Sequence, residues 1–218
     1  MSEYHKIQSV YKRDEKGRML FGEYSTPEIA YLANEEWCFT EKIDGTNIRV
    51  IFDGQAVSFG GRTERAQLHV GLLNELEATF RDPVSLEILK QTFPDGAILY
   101  GEGYGKGVQK GGGNYKADGQ GFCLFDVKVG SYYLGREAVA EIAGKFDIPQ
   151  AKVICCGTLP IMVGIVKKGL QSDFGPFEAE GIVARPMVDL FDRRGDRIIT
   201  KIKAKDFAQK AAPAPVSA

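Results

Sequence analysis

Apolar positions along this chain recur in two rhythms, one suited to strands and one to helices. Trp37, Cys38, Phe39 and Thr40 make a short run of aromatic and β-branched residues, and an extended pattern resumes from Thr46 to Phe52 after Asp44-Gly45. Such runs read as strands, and a D-G pair between them reads as a tight turn. The expectation is a hairpin that holds Lys42 at its mouth. From 66 to 80 the spacing of Leu68, Leu72, Leu73 and Leu76 is helical. Asp82-Pro83 then offers an N-cap and a proline at the first helical position, opening a helix that ends near Thr92. Two further helices are predicted over 135–146 and 158–170, the second with Thr158 as N-cap and Gly169 as terminator. Strands are predicted at 97–102, 121–129, 151–155, 180–185 and 197–203, and residues 1–40 read as strands and turns with one turn at 14–18. No internal repeat is present. The mixture predicts an α+β fold, antiparallel β-sheets packed with helices.

Composition narrows the class without naming a chemistry. A length of 218 residues supports one substantial core. The expected organisation is a single domain over 1–207 followed by a disordered alanine- and proline-rich tail over 208–218. Hydrophobic residues make up 44% and charged residues 26%, which is ordinary for a soluble globular chain. Glycine is enriched at 26 residues, as many turns and close ligand approaches require. Cys38, Cys123, Cys155 and Cys156 lack metal-site spacing and read as reduced core thiols, which points to a reducing compartment, the cytoplasm. Neither a signal peptide nor an apolar span of about 20 residues is present, so no membrane partner is expected. The two histidines, His5 and His69, lie at no candidate site.

Six places carry chemistry. EKIDGTN at 41–47 presents Lys42 beside the D-G turn, and GGR at 60–62 presents Arg62. LYGEGYG at 99–105 flanks Glu102 with glycines, and FCLFDVKVG at 122–130 carries Phe125 and Asp126. EGIVAR at 180–185 brings Glu180 and Arg185, and KIKAK at 201–205 brings Lys201 and Lys203. Each has a plain reading: a solvated strand-end lysine, a turn glutamate, a core phenylalanine, the lysine guard of an edge strand. Their order outweighs the plain readings. A lysine, an arginine, a glutamate, an aromatic, a second glutamate and a lysine pair two residues apart are explained together by one active site.

That order resembles the covalent nucleotidyltransferases, the polynucleotide ligases and mRNA capping enzymes, and most of all RNA ligases of the ligase 2 and RNA-editing type. The resemblance runs from about Glu41 to Lys203. It implies the nucleotidyltransferase fold of polynucleotide ligases, ATP-grasp-like in layout, and an ATP-dependent RNA ligase that joins 3′-hydroxyl and 5′-phosphate ends through lysyl-AMP. Lys42 is implied as the adenylylated residue, with Glu41, Ile43 and Asn47 of the same motif in the nucleotide-binding set. Arg62 matches the arginine after the second hairpin, Glu102 the ribose-holding glutamate and Phe125 the aromatic that stacks on the base. Glu180 matches the glutamate associated with Mg²⁺ or Mn²⁺, while Lys201 and Lys203 match the phosphate-binding lysines. Asp44 departs from many ligase 2 relatives, which have histidine there.

The residue types suit this chemistry. An unperturbed lysine is less than about 0.1% neutral at pH 7, so a nucleophilic amine needs its pKa lowered. Nearby cations do that, and Lys201 and Lys203 would also neutralise the transferring phosphoryl group. Alternation along a strand places both on one face. A single carboxylate fits Mg²⁺, which keeps several waters, and an aromatic ring offers adenine a stacking partner. Net charge is −1, so any RNA-binding surface must be local. KGVQKGGGNYK at 106–116, with Tyr104 beside it and Tyr115 within it, reads either as a mobile loop touching RNA backbone or as a plain flexible hairpin. No C-terminal OB-type domain is expected after Lys203. The expectation is therefore a monomeric minimal ligase, or the catalytic part of a larger assembly. The alternatives are a minimal ATP-dependent DNA ligase, a GTP-specific capping transferase, and a non-catalytic nucleotide- or RNA-end-binding module.

Overall fold

The computed structural model describes residues 3–207; the alanine- and proline-rich stretch 208–218 lies outside the described residues. The chain opens with strands β1 (Gln8–Ser9), β2 (Tyr11–Arg13) and β3 (Met19–Tyr24), then helix α1 (Pro27–Tyr31) and strand β4 (Trp37–Glu41). Strands β5 (Thr46–Phe52) and β6 (Val57–Gly61) precede helices α2 (Val70–Phe80) and α3 (Pro83–Thr92). Strand β7 (Ala97–Gly105), helix α4 (Gly112–Tyr115), strands β8 (Gln120–Val129) and β9 (Tyr132–Tyr133) and helix α5 (Arg136–Lys145) follow. Strand β10 (Val153–Gly157), helix α6 (Leu159–Lys168) and strands β11 (Gly181–Pro186) and β12 (Thr200–Lys203) complete the α+β order.

The described residues fall into two compact units. Unit I comprises 3–5, 43–152 and 174–177; unit II comprises 6–42, 153–173 and 178–207. Unit I is built on a five-stranded sheet in the order β6-β5-β7-β8-β9, antiparallel throughout. One face of that sheet packs Ile48, Val50, Phe52, Leu99, Phe122, Leu124 and Val127 against Leu72, Leu76, Phe80 and Leu89 from α2 and α3. Alternate strand positions and i, i+4 helix positions supply this core, which is why the periodicities are readable. Unit II holds the sheet β1-β12-β11-β4-β10 and the β2-β3 hairpin. Its core gathers Trp37, Phe39, Ile182, Ala184 and Ile202 with Ile29, Leu159, Met162 and Val166.

Helix starts follow local chemistry. Asp82 accepts hydrogen bonds from the Val84 and Ser85 amides, with Pro83 at the first helical position. Thr158 stands at the N-cap of α6 without a side-chain cap bond, and Gly169 ends that helix with φ at 92°. The short α1, capped by Thr26 and begun by Pro27, lies where only strands and turns were expected.

Four expectations are corrected. β4 pairs with β10 and β11, whereas β5 pairs with β6 and β7, so the Asp44-Gly45 turn does not close a hairpin. Both edges of each strand are already taken. Helix α2 starts at Val70 rather than near 66, because Ala66 donates to the Thr63 carbonyl in a turn, and Leu68 meets the core from outside the helix. The stretch predicted as a strand at 151–155 divides. Ala151 hydrogen bonds with Leu124 in unit I, and β10 begins at Val153 in unit II. The last strand starts at Thr200, since Phe191 and Arg197 form a separate bridge before it.

Candidate active site

In unit II, strand alternation decides which side chains face away from the core. Phe39, Ile182, Ala184 and Ile202 turn inward, so Lys42, Val183, Lys201 and Lys203 belong to the opposite face. The register aligns them: Gly181 pairs with Lys203, Val183 with Lys201, and Val183 also with Thr40. The Lys42 amide extends the ladder past β4 by donating to the Gly181 carbonyl at 2.9 Å. The lysine is therefore fixed at its backbone as part of the sheet.

Glu180 sits immediately before β11 and ties the lysines together. Its carboxylate meets Lys42 Nζ at 2.6 Å and Lys203 Nζ at 2.5 Å. Burial alone would raise the Glu180 carboxyl, but the ammonium groups of Lys42 and Lys203 outweigh it and hold the pKa below the usual value. Lys201 has the opposite environment. Burial first, then the charges of Lys42 and Lys203, depress its pKa to about 8, against a smaller upward pull from Glu180. Gly181 makes the junction possible. A Cβ there would stand 2.0 Å from the Ile202 carbonyl oxygen, and φ is +155°. Just beyond the lysine pair, buried Asp206 accepts from the Lys203 amide at 3.0 Å and from Arg13 at 2.8 Å, anchoring the end of β12.

Glu41 and Arg185 have their own places in unit II. The buried Glu41 carboxylate accepts from Ser172 Oγ at 2.6 Å and the Asp173 amide at 2.8 Å. Arg185 lies opposite Cys38. Lys42, Glu180 and Lys203 are thus in direct contact, and Lys201 shares their electrostatic environment.

Unit I presents a second polar face, the side of its sheet away from the leucine-rich core. Asn47 pairs directly with Glu102, and Arg49 with Tyr100. Arg62 is exposed directly after β6. Ile43 is buried among Tyr104, Tyr115 and Cys123. Phe125 owes its position to a bulge: Tyr100 pairs with Asp126 and Gly101 with Leu124, leaving Phe125 with no residue opposite. It is the one position from 121 to 127 that is not buried, and its ring meets Tyr4 edge-on at 5.2 Å. A bulge re-aims a side chain, here an aromatic one. Two buried polar atoms on this face, Asn47 Oδ1 and Arg49 Nη1, make no hydrogen bond. Arg49 is 2% exposed, its Nε donating to the Gly61 carbonyl at 2.8 Å. Sequence reasoning passed over Arg49; a lone arginine among apolar strand residues was the available signal. Gly45 is sterically required, since a Cβ would lie 2.2 Å from the Gly103 carbonyl oxygen.

The 106–116 stretch is folded rather than an open loop. It contains α4, the Gly111 amide donates to Asp44 Oδ2 at 3.2 Å, and Tyr115 packs on Phe174 and Phe177. Lys116 is engaged by Glu75 at 3.3 Å and by the Gln120 carbonyl at 2.6 Å. Lys106 and Lys110 remain exposed.

For a divalent cation, Glu180 offers a hard carboxylate oxygen of the kind Mg²⁺ and Mn²⁺ prefer. Among the described residues no three His, Cys, Asp or Glu side chains gather to form a metal cage. Water and substrate phosphate would have to complete the shell.

Residues 35–203 match the family model described as RNA ligase. The chain belongs to the RNA ligase family. No curated protein matches closely enough to count as a relative. Among solved structures, a Naegleria gruberi RNA ligase mutant with ATP and Mn is 18% identical, at TM-score 0.64 over 96% of this chain and 58% of that one. Naegleria gruberi RNA ligase with PPi gives 17% identity and TM-score 0.63 over 94% and 63% of the two chains. A mutant with AMP and Mn gives 16% and 0.61 over 95% and 64%. At these identities the likeness establishes the fold, and this chain spans under two thirds of each of those proteins. No helix among the described residues is long and apolar enough to cross a membrane.

Proposed function

We infer that this protein is an ATP-dependent RNA ligase that joins RNA 3′-hydroxyl and 5′-phosphate ends through lysyl-AMP on Lys42. One observation carries the reading: Lys42 and Lys203 share the Glu180 carboxylate on the face that also bears Lys201. Membership of the RNA ligase family supports it. So do the solved structures of similar fold with ATP and Mn, with AMP and Mn, and with PPi, which are nucleotide and pyrophosphate ligands of adenylyl-transfer chemistry.

By the family resemblance, Lys42, Glu180, Lys201 and Lys203 would serve the transfer. Lys42, deprotonated, attacks the α-phosphorus; the new P–N bond forms as the α–β P–O bond breaks and pyrophosphate leaves. Lys201 and Lys203 stabilise charge on the phosphoryl oxygens. The AMP then passes to the RNA 5′-phosphate, and the 3′-hydroxyl attacks that phosphorus and expels AMP. In unit I, Glu102 would accept from ribose hydroxyls, Phe125 would stack on adenine, and Asn47 and Arg62 would complete the nucleotide set. Glu41 and Ile43 belong to the motif that holds Lys42, Glu41 by anchoring the 172–173 segment and Ile43 by its burial. Glu180 would hold Mg²⁺ or Mn²⁺, which when bound offsets phosphate charge. The four thiols support a reducing compartment such as the cytoplasm, and the working unit is a monomer.

Incubation with α-labelled ATP and Mg²⁺ tests the class. The expected result is a covalent label and an intact-mass gain of about 329 Da, one AMP on nitrogen, both absent from Lys42→Ala. Label persisting in Lys42→Ala overturns the assignment, and ATP binding without an adduct favours the non-catalytic module. Nicked duplexes with RNA or DNA 3′ ends separate the ligases: sealing only at DNA 3′ ends would make this a minimal DNA ligase.

A further inference from the structure

One cluster in unit II takes no part in that chemistry. Cys38 on β4 and Cys156 on β10 are directly opposed in an antiparallel pair. Their sulfurs lie 3.2 Å apart, and Met187 Sδ lies 3.2 Å from Cys38 Sγ. Directly opposed positions have Cα separations of about 4.5 to 5.5 Å, inside the range a disulfide spans. The two thiols differ in access: Cys38 is buried and Cys156 exposed. Cys155 pairs with Phe39 and packs against the apolar core, on the other face of the sheet. Lys42 follows Cys38 by four residues, so alternation puts the pair on the lysines' face, about 13 Å along the strand.

We propose that Cys38 and Cys156 form a peroxide-responsive dithiol, with Cys156 the thiol that is attacked and Cys38 the thiol that resolves it. The Cys156 thiolate takes an oxygen from hydrogen peroxide, giving a sulfenic acid and releasing hydroxide. The Cys38 sulfur then attacks the Cys156 sulfur, the S–S bond forms, and the sulfenic oxygen leaves as water. Overall, two thiols and one peroxide give one disulfide and two waters, and a dithiol reductant reverses the change. The sulfurs need to close by roughly 1 Å to reach bonding distance. An exposed thiol beside a buried resolving thiol is what distinguishes a reversible pair from a cysteine that simply over-oxidises. The inference stands apart from the ligase reading, since its readout is sulfur chemistry alone.

The test treats reduced protein with stoichiometric hydrogen peroxide, alkylates the remaining thiols, and maps the product by mass spectrometry. The expected product is a monomer lighter by about 2 Da before alkylation, with a linked Cys38–Cys156 peptide. Two of the four cysteines should stay alkylatable, and dithiothreitol should restore the other two. Cys155→Ser should behave as the parent does, while Cys156→Ser, altered at an exposed position, should stay folded and give no intramolecular link. A link through Cys155, a disulfide between two chains, arrest at sulfinic acid, or four cysteines still alkylatable would each overturn the proposal.

Discussion

The lysine face of unit II and the polar face of unit I solve opposite electrostatic problems. On the lysine face of unit II opposite charges meet: Glu180 is shared by Lys42 and Lys203, while Lys201 holds its place with a lowered pKa. On the polar face of unit I, Asn47 Oδ1 and Arg49 Nη1 are buried and make no hydrogen bond. Unmade hydrogen bonds of buried groups cost about 1–3 kcal/mol each. One face sets its charges against each other; the other leaves a donor and an acceptor unmatched. Under the proposed function, transfer chemistry and recognition would draw on different sheets.

Removing the nucleophile breaks the comparison most sharply. Lys42→Ala should lower covalent labelling by at least about 10³-fold, while Lys42→Arg, also inactive, should keep the ion pair and melt close to the parent. Glu180→Ala comes next. Labelling should fall by about 10²-fold, and denaturant unfolding should show a loss of about 1–3 kcal/mol, because lysines then lose their shared counter-charge. On the other sheet, Phe125→Ala should raise the KM for ATP by about tenfold while leaving the labelling plateau intact at saturating ATP. A drop in the plateau with KM unchanged would erase the division of labour.

The smallest effect is on pH and separates stability from rate. The folded pKa of Lys201, about 8, lies below its ordinary value of 10.5. Below about pH 8 the lysine is charged in both folded and unfolded chains, and the full penalty is present. Between the two values only the unfolded chain holds the proton, so stability rises with pH. Urea unfolding at pH 8 and 10 should show that rise in the parent and its absence in Lys201→Met. Glu180 gives a rise of the same sign in acid: its stabilisation is present above the ordinary carboxyl value of 4.5 and fades as pH falls through the lowered folded value.

Much of this was legible in the chain because alternation is local. Leu72 and Leu76 announced α2, and the extended pattern from Thr46 to Phe52 announced β5, since each repeats at the period of its own element. The lysine pair two residues apart on β12 announced a shared face. Pairing partners were not legible. Asp44-Gly45 has the composition of a hairpin turn, yet β5 pairs with β6 and β7 while β4 takes its partners from β10 and β11, far along the chain. Asp206 was equally hidden: its anchoring of Lys203 and Arg13 joins positions whose proximity only the fold creates. Arg49 stood out only as a lone arginine among apolar strand residues, and its unmade hydrogen bond leaves no mark on composition.

The unopposed position at Phe125 has a consequence for how this protein tolerates length changes. Leu124 and Val127 both face the core although they are three residues apart, an odd interval that an unbroken strand would not allow. Excise Phe125 and the frame becomes regular: Leu124 inward, Asp126 outward, Val127 inward. The ring is therefore carried by a residue that the scaffold can do without. A one-residue deletion at that point would remove the aromatic ring and spare the sheet, whereas the same deletion two residues earlier would throw the strand out of phase.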